Sequence, residues 1–196
     1  MMKFVLGALV LVVAGSVHAA DVYKIDAKAS SVAWKGSKKM GSSHHGGISV
    51  KDGDVTFNKG QLTGGNVVID MTTVTNDDLK DSPDYQKKLV GHLSSDDFFS
   101  VTKFPTASFK ITNVTAKSKT EAVVKGELTM IGKTNPIEFP VKFTVDKGIA
   151  TGEALVKIDR TKWGLKYGSG NFFKELAGDK IINDEFELNL KLVAKK

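Results

Sequence analysis

From Ile137 to Val145 the chain places an apolar residue at every second position: Ile137, Phe139, Val141, Phe143 and Val145. Glu138, Pro140, Lys142 and Thr144 stand between them. Side chains of a strand point alternately to its two faces, so this run can bury one face and leave the other in water. The same alternation recurs along the chain. Val67, Ile69 and Met71 share a face, as do Ala107, Phe109 and Ile111, and as do Phe186, Leu188, Leu190 and Leu192. Ala122, Val124, Leu128 and Met130 share parity. The pattern begins at Ser31–Trp34 and is punctuated by Lys59-Gly60, Gly64-Gly65 and Asp146-Lys147-Gly148. Lys51-Asp52-Gly53-Asp54 reads as a further hairpin turn. About eight such strands predict an all-β, antiparallel sandwich or barrel. A closed barrel of eight strands either fills its interior with side chains or holds one small apolar ligand.

One stretch departs from this pattern. Ser82 before Pro83 is a helix start, because serine can cap free backbone donors and proline tolerates the first turn. Tyr85, Leu89 and Leu93 then recur at helical spacing and predict one apolar face. Ser94 reads as the cap of a second short helix, with Asp96 and Asp97 in its first turn. Phe98, Phe99 and Phe104 follow. The segment Leu89–Phe104 is therefore expected to lie over the barrel as an apolar lid.

Lys3, the apolar run Phe4–Gly15 and the small-residue site Val17-His18-Ala19 predict a cleaved signal peptide over residues 1–19. The run is short for a membrane span. Residues 20–196 are then one exported domain, periplasmic or secreted, with no stable membrane insertion. The chain has no cysteine, which excludes disulfides, thiolate metal sites and cysteine nucleophiles. Its net charge of +6 comes from scattered lysines, so no basic patch for nucleic acid is expected.

Several pieces, in order, resemble the YceI-like family of exported, lipocalin-like proteins. They include Trp34-Lys35-Gly36, Ser43-His44-His45-Gly46, Val68-Ile69-Asp70 and Gly91-His92-Leu93-x-Ser95-x-Asp97-Phe98-Phe99. Lys103-Phe104-Pro105-Thr106-Ala107-Ser108-Phe109, Gly126–Thr134 and Ile158-Asp159-Arg160-Thr161-Lys162-Trp163-Gly164 continue the match. The resemblance spans Val22 to Val193 and implies an elongated eight-stranded antiparallel barrel around a hydrophobic tunnel. It implies a polyisoprenoid or other long-chain amphiphile as ligand, and it makes a homodimer an expectation. Many relatives carry an aromatic residue soon after the glycine of the histidine loop; Gly47-Ile48 stands here instead.

Tunnel-wall candidates are Trp34, Phe57, Phe98, Phe99, Phe109, Leu128, Met130, Phe143, Trp163 and Phe186. Periodicity cannot separate a lined tunnel from a packed interior, so each is either wall or core. His44 and Arg160 are the head-group candidates. His44 is otherwise a loop-orienting residue, and Arg160 otherwise one half of an ion pair at the barrel rim. No catalytic residue is assigned: there is no G-x-S-x-G elbow, and Asp96 and Asp97 read as helix-end charges. No metal site and no cofactor are expected beyond a bound lipid. The function expected is carriage of a long-chain lipid, against an enzyme acting on such a lipid or a solidly packed interaction module.

Overall fold

The computed structural model describes residues 19–196. The expected signal peptide lies outside the described residues except for its last, Ala19. Nine strands follow one another: β1 (Asp21–Ile25), β2 (Ser31–Ser37), β3 (Ser43–Asn58), β4 (Gln61–Asp70), β5 (Thr106–Ala116), β6 (Glu121–Met130), β7 (Lys133–Asp146), β8 (Ile149–Asp159) and β9 (Glu185–Lys195). One α-helix, α1 (Pro83–Ser94), stands between β4 and β5.

Nine strands make an eight-position barrel because β1 and β2 share one position. β1 pairs with the far ends of β3 and β9, opposite Val55 and Ala194. β2 pairs with the other stretches of the same two neighbours, opposite Gly46 and Leu188. From there every neighbour is antiparallel, and the β3–β4 ladder closes the ring. The all-β, antiparallel eight-stranded barrel with one helical insertion is thus the observed architecture. Alternation set the faces: along β7, Ile137 to Val145 turn inward while Glu138, Lys142 and Thr144 are exposed.

Tight turns follow from local chemistry. Lys59-Gly60, Ile131-Gly132 and Lys147-Gly148 each have positive φ at both residues. That is the type I′ geometry whose twist matches paired strands, and glycine adopts it without a steric penalty. Lys51–Asp54 is not a turn: β3 runs straight through it, and a bulge between Val50 and Asp52 absorbs the irregularity.

β7 and β8 pair only over Lys142–Asp146 and Ile149–Glu153. The cause lies in two prolines. The Phe143 amide donates to Thr120 on the β6 side. The β6–β7 register is unbroken, so the even-numbered residues of β7 turn their backbone groups toward β8. Pro136 and Pro140 have no N–H to offer there. A seam between β7 and β8 results.

The helical insertion also differs from expectation. Ser82 precedes α1 but its side chain makes no cap bond, and Tyr85 is exposed instead of joining an apolar face. Ser94 ends α1, its hydroxyl donating back to the Val90 carbonyl. There is no second helix: Asp97 N–H bonds the Ser95 hydroxyl within a turn, and Phe99 N–H reaches back to the Leu93 carbonyl.

Candidate functional site

The barrel interior divides along its axis. At one end Tyr23, Phe57 and Phe143 fill the lumen, with Tyr23–Phe57 edge-to-face at 5.4 Å and Phe57–Phe143 at 5.6 Å. All three are at most 5 % exposed. At the other end the lumen is hollow and holds a cavity of about 680 Å³. Its walls are Val32 and Trp34 of β2, Ile69 of β4, Phe109 of β5, Leu128 and Met130 of β6, Phe139 of β7, Val156 of β8, and Phe186, Leu188 and Leu190 of β9.

Two small residues keep this end open. Gly36 faces the cavity with nothing near the place its Cβ would occupy. Gly126 is inward-facing, and a Cβ there would collide with the Phe109 ring and the Lys110 carbonyl. Phe109 therefore lies back against β6 over Gly126.

The lid segment joins the wall from outside the sheet. Leu89, His92 and Leu93 of α1, and Phe98 and Phe99 after it, line the cavity. His92 Nε2 lies 3.0 Å from Asp97, and its ring meets Phe98 and Tyr167 edge-on at 5.0 and 4.7 Å. Tyr167 belongs to the loop between β8 and β9, so this aromatic group ties the lid to that loop.

A polar hub fastens the chain ahead of α1 to the mouth. Asn76 is buried; its amide nitrogen donates to the His45 carbonyl and to Asp78, and its side-chain oxygen accepts the Leu79 N–H. Asp78 accepts the His45 N–H at 2.9 Å and the His44 Nδ1 at 2.7 Å. Burial works against the Asp78 charge, but the bonds from the His45 amide, His44 and Asn76 outweigh it and hold its carboxyl down at about 2. Holding Nδ1 in this way leaves the other ring nitrogen of His44 for the cavity, which His44 lines. Trp34 Nε1 donates to the Thr75 carbonyl at 2.9 Å, anchoring the same segment.

Arg160 also borders the cavity, yet its guanidinium is engaged with protein. Nε, Nη1 and Nη2 donate to the carbonyls of Asn183, Leu165 and Ile182 at 3.1, 2.7 and 3.2 Å. Asp184 lies 3.6 Å from Nη2. Burial lowers its pKa below the ordinary arginine value, while Asp184 and Asp159 act in the other direction. Arg160 thus staples the β8–β9 loop across the mouth. Asp-x-Thr turns end β8 and β4: Asp159 caps Thr161, and Asp70 caps Thr72 in the same way.

Trp34, Phe98, Phe99, Phe109, Leu128, Met130, Phe186, His44 and Arg160 all border the cavity. Phe57, Phe143 and Trp163 do not. Phe57 and Phe143 have the right parity but sit further along the axis, in the filled end, because periodicity gives a face and not a height. Trp163 lies beyond β8 in a 3-10 turn, fully buried, with Nε1 donating to the Leu128 carbonyl from behind the wall. The hub of Asn76 and Asp78, the cavity-lining Tyr167 and the rim lysines Lys38 and Lys180 were not anticipated. The run Asn76-Asp77-Asp78 carried a signal, since Asn and Asp side chains bond nearby backbone in turns. Among the described residues no three His, Asp or Glu side chains gather around a metal-sized site, and no helix is long and apolar enough to cross a membrane.

Solved structures share this architecture. BcnA of Burkholderia cenocepacia superposes with a TM-score of 0.67 over 87% of this chain and 99% of its own, at 23% identity. A polyisoprenoid binding domain from Saccharophagus degradans, implicated in plant cell wall breakdown, gives 0.62 over 88% and 97%, at 16% identity. By sequence, a UPF0312 protein of Pseudomonas putida is 33% identical over 135 residues, covering 68% of this chain and 67% of its own. A UPF0312 protein of Vibrio cholerae is 30% identical over 138 residues, 69% of each chain. The YceI-like domain model matches residues 23–194, and with these relatives it shows that the chain belongs to the YceI-like family.

Proposed function

We propose that this protein is an exported, non-enzymatic carrier that holds a long-chain amphiphile in the hollow half of its barrel. The ligand classes are a polyisoprenoid, an isoprenoid quinone or a fatty-acid derivative. The observation that carries the reading is the cavity of about 680 Å³ with apolar walls. Its volume falls within the roughly 300–1,000 Å³ of small-molecule sites. At roughly 30 Å³ per carbon, the share of one water in the liquid, it takes a tail of about 20 carbons. Each buried methylene contributes about 0.8 kcal/mol, so ten give about 8 kcal/mol before association costs. The relation to a polyisoprenoid binding domain supports the same ligand chemistry. His44 and Lys38 are the head-group residues in this reading, since both border the mouth.

Export rests on the signal-like residues 1–19. Native mass spectrometry of protein purified without detergent tests the carrier reading. A co-purifying lipid of defined mass is expected, released intact on denaturation. Absence of any lipid, together with failure to take up added polyprenyl or acyl lipids, would overturn it. Turnover of the supplied lipid would replace the carrier by an enzyme. Light scattering on the same sample tests the homodimer, expected as twice the chain mass.

A further inference from the structure

The surface around the cavity mouth combines bare apolar side chains with unpaired cations. Met40 follows β2 and is 64% exposed; Phe172 and Phe173, in the β8–β9 loop, are 46% and 40% exposed. These segments lie side by side. Lys39 N–H donates to the Ile181 carbonyl, Lys38 bridges to Ile182, and Met40 sulfur abuts Gly178. Residues 35–42 and 163–183 together carry six lysines against two carboxylates, and Asp184, Glu185 and Glu187 border the adjoining groove beside Lys35, Lys39 and Lys174. Among the described residues, none of Lys35, Lys38, Lys39, Lys166, Lys174 and Lys180 takes part in an ion pair. Lys166 instead lies 4.4 Å from the Phe172 ring centre. Phe173, Lys38 and Lys180 also border the cavity, which places this patch at its opening.

Phenylalanines and a methionine exposed together on one surface are costly in water and mark it as a place of contact. Aromatic tips flanked by lysines match the boundary of an anionic bilayer. The rings enter the headgroup region there, and each lysine gains from the surface potential. We propose that the mouth docks on an anionic lipid surface through Met40, Phe172 and Phe173, with the rim lysines over the headgroups. Docked this way, a ligand would pass between bilayer and cavity without its tail crossing water. The inference builds on the carrier reading by giving it a loading face.

Flotation with phosphatidylcholine vesicles, with and without phosphatidylglycerol, tests it. The protein is expected to float with the mixed vesicles at low salt and to leave them as salt screens the charges. Lys39→Gln with Lys174→Gln should weaken this binding about fivefold per lysine, from about 1 kcal/mol each. Phe172→Ala with Met40→Ser should also weaken it, while uptake of a lipid added from solution stays unchanged in both variants, since none of the four residues borders the cavity. Failure to float with either vesicle overturns the proposal, as does binding that both variants retain. A dimer of doubled mass that Phe172→Ala with Met40→Ser dissociates also overturns it, because a second copy then covers the patch. Loss of uptake in the unaltered protein would instead strike the carrier reading.

Discussion

The filled and hollow ends of the barrel share every strand except β1 and β2, with the same alternation, yet one end is solid and the other is not. The difference comes from what each strand places at a given height. At the filled end β1 inserts Tyr23, which meets Phe57 of β3, and Phe57 in turn meets Phe143 of β7. At the hollow end β2 occupies that same position and offers Gly36 to the lumen. Across from it, Gly126 lets the Phe109 ring recline against the wall. Splitting one barrel position between two short strands therefore gives the two ends separate side-chain inventories. The filled end anchors the fold, and the hollow end keeps space that a packed core would lose.

The largest expected effect sets one end against the other. Phe143→Ala should lower stability by about 3–5 kcal/mol in urea unfolding, because it opens a cavity among tightly packed rings. Phe186→Ala should cost well under half as much, because its ring already borders empty space. Equal losses would mean that the hollow end is as tightly packed as the other.

The next effect concerns capacity. Affinity for straight-chain acids should rise about threefold to fourfold per added methylene, from about 0.8 kcal/mol each, and stop rising near 20 carbons. Leu128→Trp, which pushes a larger ring into the lumen, should lower the length at which the rise stops by about two carbons and leave unfolding nearly unchanged. A rise that continues unbroken in competition titrations would show that the aromatic plug does not bound the tail.

Face assignment was legible from residues alone because alternation is local: each inward residue of β7 and β9 follows from its neighbours. Height was not. Phe57 and Phe143 share the parity of the wall, and only the long-range β1–β3 and β1–β9 pairings place them in the plug. β1 itself is five residues with two buried side chains, Tyr23 and Ile25, too short to stand out. The lid was legible as a helix with Leu89 and Leu93 inward. Its fastening was not, because the Asn76–Asp78 hub works through backbone groups of His45, about thirty residues away in sequence.

That fastening titrates. The Asp78 carboxyl is held at about 2, below its ordinary 3.8. A depressed carboxylate contributes stability that is present above its ordinary value and is lost as pH falls through the lowered one. The hub should therefore hold at neutral pH and loosen between about pH 4 and pH 2. Amide exchange at His45 and Leu79 should quicken over that window while the β6–β7 ladder stays protected. Asp78→Asn should produce the same local opening at neutral pH. Simultaneous loss of protection in both regions would mean that the hub is part of the global core.

The smallest effect probes the seam beside the hollow end. Pro140 keeps a backbone donor away from β8, and its ring lies on the outer face of β7, where it is exposed. Pro140→Val supplies that donor and a residue suited to a strand. If β8 can close on it, the new ladder bond should add about 0.5–1 kcal/mol. The freed backbone in the unfolded chain takes back about as much, since proline restricts that state. Net stability should then move by less than about 1 kcal/mol, while exchange of the Lys142 amide slows as pairing extends past it. If the seam is a route by which a tail enters sideways, ligand exchange should slow in the same variant. If Lys142 slows and ligand exchange does not, tails pass only through the mouth, between α1 and the β8–β9 loop.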